Sequence, residues 1–376
     1  MKMSCVASLG AAAICAAVFA CSPARAAEFT HGSWPPASDH LNTTALPGAF
    51  KTIEEETKGA VKWKLVAGGQ LADGKGTFQS VQDNVIQGGL GIAIYVPNLV
   101  PSLNTIYSTI VLGDDVVAAT GAAVETLLLN CPSCIEEFQK INSVPLGGFT
   151  GSTYAIYCRE PIKTVADLAG KRIRGTGGGA ELFKIAGAVP IGATLSDSVS
   201  LLQRGGMDCM WGVLEWLKTY GYGDFAKYVV DYPFGITGPA LGMMLNRDTW
   251  KSLTRDQKKN HLKAAAYVTA EMALGNFVIK NEASFKDVVA TKGVTLIKVE
   301  NKGFDDLFRK YKEVERDRNI GVAKNFGVKD PAAIIDAYEK NLQKWAGLSK
   351  DIGRDIGKFA EVVHREVYDK VDPDKL

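Results

Sequence analysis

The chain has 376 residues, enough for two domains of roughly 100–200 residues each. With 46% hydrophobic and 22% charged residues it has globular composition, which excludes global disorder. A formal net charge of +2 without a dense basic run gives no footing for nucleic acid or an anionic membrane surface, and four scattered histidines leave little for a histidine metal site.

At the N-terminus, Lys2, the apolar run from Val6 to Ala20 and Pro23-Ala24-Arg25-Ala26-Ala27 have the form of an export signal. Cleavage is expected after Ala26 or Ala27, so residues 1–26 are assigned as signal peptide. The apolar run is short for a membrane span, and Phe19 is bulky for lipid attachment at Cys21. Beyond the signal, Glu28–Ser33 is predicted as a strand, Leu41–Lys58 as an amphipathic helix ending at Gly59, and Val61–Ala67 as a strand. Gly68-Gly69 marks a turn, Thr77–Ile86 a helix and Leu90–Tyr95 an apolar strand. Helices are expected through Ala118–Ile141, then strands at Val144–Thr150 and Thr153–Cys158. A helical turn at Val165–Leu168 leads to a strand at Lys171–Arg174. Helices at Ala180–Gly187 and Ser196–Arg204 and a strand at Met207–Met210 complete a second alternation. Ala240–Asn246 is a strand, Thr254-Arg-Asp-Gln257 a capping box opening a helix that runs to about Lys292, and Val294–Val299 a strand. The remainder is helical, with Ile335, Tyr338 and Leu342 at helical spacing. Two such α/β blocks with no flexible tether between them predict an α/β fold whose chain crosses between domains more than once.

Four cysteines follow the signal: Cys131, Cys134, Cys158 and Cys209. In an exported chain an even number suggests disulfides, and the favoured pairing is Cys131–Cys134 with Cys158–Cys209. Cys131-Pro-Ser-Cys134 has thioredoxin-like spacing, but it interrupts a helical pattern and does not follow a strand, so a structural bridge is expected.

Two motifs resemble phosphate-binding loops. Gly69–Gly76 ends in Lys75-Gly76 where a phosphate loop needs Ser or Thr after the lysine, so it is read as a strand-to-helix turn. Gly175–Ala180 fits G-x-G-x-x-A after a strand, but Asp197, at the distance expected for a ribose-binding acid, starts a helix and does not end a strand. A third reading fits better: glycines permit close backbone approach, a helix N-terminus attracts an anion, and the Arg174 fork can grip a carboxylate through two parallel bonds. No G-x-S-x-G or H-E-x-x-H motif and no apolar carboxylate pair points to catalysis.

Three further stretches carry a resemblance: Ile162–Arg174, then Gly187-Ala-Val-Pro190, then Leu201–Asp208. With Gly68-Gly69-Gln70-Leu71 before Phe78–Gln82, and Asn246–Gln257, they resemble the DctP-type extracytoplasmic solute-binding proteins of tripartite ATP-independent periplasmic (TRAP) transporters, over about Phe29 to Val299. The resemblance implies a two-domain periplasmic binding protein fold with a cleft between the domains and a long spanning helix. The expected division is 27–150 plus 239–278 for domain I, 151–238 plus 279–300 for domain II, and 301–376 as a C-terminal helical region. It also implies that Arg174 pairs with a ligand carboxylate. Where many members carry an asparagine after the Gly-x-x-Asp motif, this chain has Gly212, with Trp211 beside it. Tyr154 stands where sialic-acid binders place a second arginine, and Leu195 where some members place phenylalanine, so neither sialic acid nor a second ligand carboxylate is favoured. Trp34, Tyr95 and Trp211 at strand ends suit an apolar or aromatic ligand body, with Trp34 and Trp216 equally able to pack in a core. Glu215 is taken as a solvated helix-face charge, although pairing with a lysine or a ligand cation is open to it.

The expected function is a periplasmic, non-enzymatic, cofactor-free monomer. It captures a small organic monocarboxylate and delivers it to TRAP membrane permease subunits. The alternatives are an exported NAD(P)-dependent oxidoreductase using Gly175–Ala180, or a ligand-presenting sensory module.

Overall fold

The computed structural model describes residues 27–376, so the export signal and Cys5, Cys15 and Cys21 lie outside the described residues. Twelve strands run in chain order: β1 (Ala27–Gly32), β2 (Val61–Val66), β3 (Gly88–Ile92), β4 (Ser143–Val144), β5 (Gly148–Phe149), β6 (Ala155–Cys158), β7 (Arg172–Arg174), β8 (Val189–Ile191), β9 (Cys209–Gly212), β10 (Tyr228–Val230), β11 (Ala240–Asn246) and β12 (Thr295–Ile297). They form two six-stranded sheets. The first has the order β2-β1-β3-β11-β4, with β5 also pairing β11; the second is β12-β10-β6-β9-β7-β8. Each sheet centres one α/β domain, and the chain passes between them after β5, after β10 and along the helix that precedes β12.

Short-range physics accounts for where several elements depart from the sequence expectation. The strand expected at Leu90–Tyr95 lies earlier, at Gly88–Ile92, and Ala93–Tyr95 is a single 3₁₀ turn. The helix Thr77–Gln82 lies so close to the strand that a Cβ on Gly89 would stand 2.5 Å from Thr77 Cγ2. A bare backbone is therefore required at that position. The strand expected over Val144–Thr150 is split into β4 and β5 around Gly147, whose φ is +62°. β11 is buried along its whole length, as its run Ala-Leu-Gly-Met-Met-Leu-Asn requires for a strand inside a two-faced sheet.

The capping box forms as predicted. Thr254 Oγ1 accepts the Gln257 amide at 3.2 Å, and Gln257 Oε1 accepts the Thr254 amide at 2.9 Å. The helix it opens is continuous through Arg255–Ala270, a π-helical stretch Glu271–Lys280 and Asn281–Lys292. Its first part packs on Leu46–Glu56 and the first sheet, its last part on Trp216–Thr219 of the second domain, so it spans both.

The C-terminal helices are built into this frame. Asn301–Asn325 lies against both halves: Glu315 Oε1 accepts the Ile110 amide at 2.7 Å, and Arg318 Nη2 donates to the Gly177 carbonyl at 2.9 Å. Pro331–Ile352 packs on Val116–Glu125, where Trp345 Nε1 donates to Glu125 Oε2 at 2.6 Å. The Trp345 ring lies over Gly121, at which a Cβ would stand 2.2 Å from it. Disulfides join Cys131 to Cys134 and Cys158 to Cys209, the latter pair directly opposite in the β6–β9 ladder. Among the described residues no single helix is long and apolar enough to cross a membrane, and no group of three His, Cys, Asp or Glu residues is placed to hold a metal.

Candidate functional site

The site is a cavity between the two domains. It leaves about 50 Å³ open to the centre of a water-sized sphere, a narrow space walled mainly by apolar and aromatic side chains, as small-molecule sites are. Its walls come from segments far apart in sequence. Trp34 and Asp39 follow β1, and Tyr95 follows β3. Tyr154 precedes β6, Arg174 ends β7, and Leu195 opens a helix. Trp216 and Tyr220 follow β9, Thr237 lies before β11, and the π-helical stretch adds Met272 and Phe277.

Arg174 is 3% exposed. Its Nε donates to the Ala193 carbonyl at 3.0 Å, Nη1 to the Trp211 carbonyl at 3.4 Å and Nη2 to the Tyr95 hydroxyl at 3.5 Å. The Tyr95 oxygen also accepts the Leu195 amide at 3.1 Å, which fixes the phenol beside the guanidinium. Burial opposes the arginine's charge, and the oxygens of Ala193, Trp211 and Tyr95 that accept its N–H groups favour it. Burial raises the pKa of Tyr95, and those of Tyr107 and Tyr222 go well above the phenol range, so these groups stay neutral and do not cancel the cation. Among the described residues no carboxylate lies within ion-pairing distance of Arg174. A guanidinium taken out of water without a counter-charge is costly, and it is the strongest electrostatic feature of the cavity.

Aromatic rings form the rest of the wall. Trp34 donates from Nε1 to the Leu90 carbonyl at 3.0 Å and packs on Tyr95 with ring centroids 6.0 Å apart. Tyr154 meets Trp216 edge-on at 5.7 Å, and Phe149 lies 5.8 Å from Phe277. The site residues singled out in the sequence are thus divided. Arg174, Tyr154, Tyr95, Trp34 and Leu195 line the cavity, whereas Trp211 and Gly212 do not. Trp211 turns its ring into the second domain, edge-on to Phe183 at 5.8 Å and against Gly179, where a Cβ would stand 2.2 Å away. It serves the site through its carbonyl, which accepts from Arg174, and through its ring, which backs the Tyr154 ring edge-on at 4.7 Å. Gly212 has a different part: a Cβ there would stand 2.5 Å from the Trp216 ring, so its bareness lets Trp216 lie over the strand and reach the cavity.

Two further expectations are corrected. Gly175–Ala180 does not line the cavity that holds Arg174; Gly175, Gly177 and Ala180 line a separate pocket with Ser108 and Arg318. A Cβ on Gly178 would stand 2.2 Å from the Tyr311 hydroxyl and 2.3 Å from the Ser108 carbonyl, so the glycines permit protein packing against the helix start. Glu215 is not solvated: it is fully buried, pairs with Lys280 at 3.5 Å and accepts the Thr219 hydroxyl. Sequence reasoning missed Asp39, Tyr107, Phe149, Tyr220, Thr237, Met272 and Phe277. Asp39 alone left a signal, an N-cap residue ahead of the first amphipathic helix.

The profile of the bacterial extracellular solute-binding protein family 7, DctP, matches residues 34–317. Solved structures share the fold. A TRAP periplasmic solute-binding protein from Bordetella bronchiseptica with bound (R)- and (S)-mandelate is 22% identical, with TM-score 0.71 over 84% of this chain and 99% of the other. A marine metagenome TRAP solute-binding protein specific for aromatic acids, in complex with 3-hydroxybenzoate, is 20% identical, with TM-score 0.74 over 85% and 99%. One from Rhodoferax ferrireducens T118, with copurified benzoate, is 14% identical, with TM-score 0.74 over 86% and 99%. With a family match across most of the described residues and a two-domain frame around one buried arginine, the chain belongs to the DctP family of bacterial extracellular solute-binding proteins.

Proposed function

We propose that the chain is the periplasmic receptor of a TRAP transporter. It takes a small organic monocarboxylate between its domains and hands it to the membrane permease without chemical change. The observation that carries this reading is Arg174: a buried guanidinium, held by two carbonyls and a phenol, facing an aromatic-walled cavity, with no carboxylate among the described residues within ion-pairing distance. A ligand carboxylate supplies the missing charge and accepts parallel bonds from the planar fork. Trp34, Tyr95, Tyr154 and Trp216 offer ring faces and edges to the ligand body. The proteins of like fold that hold mandelate, 3-hydroxybenzoate and benzoate support an aromatic or apolar-bodied acid.

The test is the identity of the compound released when the exported protein is denatured, read by mass spectrometry, followed by calorimetry of that compound with the wild type and Arg174→Ala. A monocarboxylate whose affinity falls at least a hundredfold in the variant is expected. A released compound with no anionic group, or unchanged affinity in the variant, overturns the reading.

A further inference from the structure

The cavity holds a second charged residue. Asp39 is 5% exposed and lies on the cavity wall together with Trp34, Trp216 and Tyr220. Its Oδ1 accepts the Leu41 amide at 2.9 Å. Its Oδ2 has no hydrogen-bond partner among the described residues, and no cation among them comes within ion-pairing distance of the carboxylate. The neighbouring basic side chains are engaged elsewhere. Lys280 reaches Glu215 at 3.5 Å and the Ser38 carbonyl at 3.4 Å, and His40 binds Glu271 at 2.7 Å. Thr237 adds a second free polar group: it is 4% exposed, lines the same cavity, and its Oγ1 is buried without a partner.

Helix capping explains only part of this. One oxygen on Leu41 is what a cap needs, and serine or asparagine would supply it without burying a charge. A carboxylate with one oxygen free inside an aromatic cavity costs folding free energy unless something meets it. Arg174 does not, because no ion pair joins the two residues. The cavity therefore presents a guanidinium from the second domain and a carboxyl group from the first, neither in an ion pair among the described residues.

We infer that the ligand carries a hydrogen-bond donor, a hydroxyl or an ammonium group, away from its carboxylate, and that Asp39 is the acceptor which selects for it. This rests on the reading that Arg174 holds the ligand carboxylate. An ammonium group would also meet the faces of Trp34, Trp216 and Tyr220, which attract cations. A hydroxyl would gain the carboxylate bond alone.

The test uses matched monocarboxylates: benzoate, 3-hydroxybenzoate and 3-(aminomethyl)benzoate, with phenylacetate, 3-hydroxyphenylacetate and 3-(aminomethyl)phenylacetate as a second set. Affinities are measured by calorimetry on wild type, Asp39→Asn, Asp39→Ala and Arg174→Ala. In the wild type at least one donor-bearing acid is expected to bind tenfold or more tighter than its bare parent. In Asp39→Ala that preference, read as the ratio of the two affinities within the variant, should fall below threefold. Preference for the ammonium acid that is lost in Asp39→Asn assigns a cation; preference for the hydroxyl acid that partly survives there assigns a neutral donor. Equal binding of bare and donor-bearing acids in the wild type overturns the inference and leaves the carboxylate reading standing, provided Arg174→Ala abolishes both. Binding that is indifferent to Arg174→Ala overturns both. If the Asp39 variants do not fold, the wild-type preference alone decides.

Discussion

Tyr95, from the first domain, places its hydroxyl 3.1 Å from the amide of Leu195 in the second, and the same oxygen meets Arg174. One phenol thus ties the wall of one domain to the cation of the other. Tyr95→Phe removes that oxygen and leaves the ring. Ligand affinity is expected to fall about tenfold, since one hydrogen bond contributes on the order of 1 kcal/mol, somewhat more beside a charge. Calorimetry with the copurified ligand checks this, and an unchanged affinity would show that the link is dispensable.

Two buried histidines set a pH dependence of stability. Burial pushes the pKa values of His31 and His261 down to about 4, with backbone bonds to Gly242 and Gln257 only partly opposing it. Both are neutral when folded but take up a proton in the unfolded chain below about pH 6.5. As pH falls from there towards 4 the unfolded state binds more protons, so stability is lost, on the order of 3 kcal/mol per histidine. Glu137, raised to about 7 by burial against its bonds to Ser102, works in the opposite sense over part of this window. The variants therefore isolate the effect: His31→Gln and His261→Gln should each flatten the urea midpoint between pH 7 and 4.5.

Gly121 and Trp345 test whether the C-terminal helices belong to the folded core. Gly121→Val forces a side chain into the Trp345 ring, against which even a Cβ would stand at 2.2 Å. A loss of about 1–3 kcal/mol is expected, seen as a lower melting temperature, with ligand affinity kept well below the melt. An unchanged melting temperature would mean that this helix contributes little to stability.

The two disulfides should differ in weight. The Cys158–Cys209 bridge closes a sequence separation of 51 and the Cys131–Cys134 bridge one of 3. Chain-entropy reasoning assigns about 4 kcal/mol to the first and about 2 kcal/mol to the second. The double variant Cys158→Ala/Cys209→Ala should therefore lower the denaturation midpoint about twice as far as Cys131→Ala/Cys134→Ala.

Elements with a strong period were legible in the sequence: β2, β11 and the helix opened by Thr254 and Gln257 lie where their patterns place them. β8 and β10 were not: Pro190 within β8 argues against a strand, and β10 is a three-residue run in a loop-rich stretch. The site divides on similar grounds. Arg174, Tyr95 and Trp34 stand at or just after strand ends, where an α/β fold gathers its ligand contacts. The sequence puts Trp211 in the cleft and leaves Trp216 between cleft and core, whereas Trp216 lines the cavity and Trp211 does not, because which ring faces it turns on the packing of Gly179 and Gly212 against them. Met272 and Phe277 look like any core positions of a long helix until tertiary folding lays that helix across the cavity.

The helix Asn301–Asn325 holds Ile110 of one domain through Glu315 and Gly177 of the other through Arg318, one turn further on. It works as a clasp along one edge of the cleft. Any opening that leaves both bonds whole is a swing about that edge, and its angle is limited by the reach of a single arginine side chain. If the halves part during ligand exchange, keeping both bonds requires one half to turn about this helix. Changes to this strap, far from the aromatic walls, would alter the rates of capture and release before they altered what is captured.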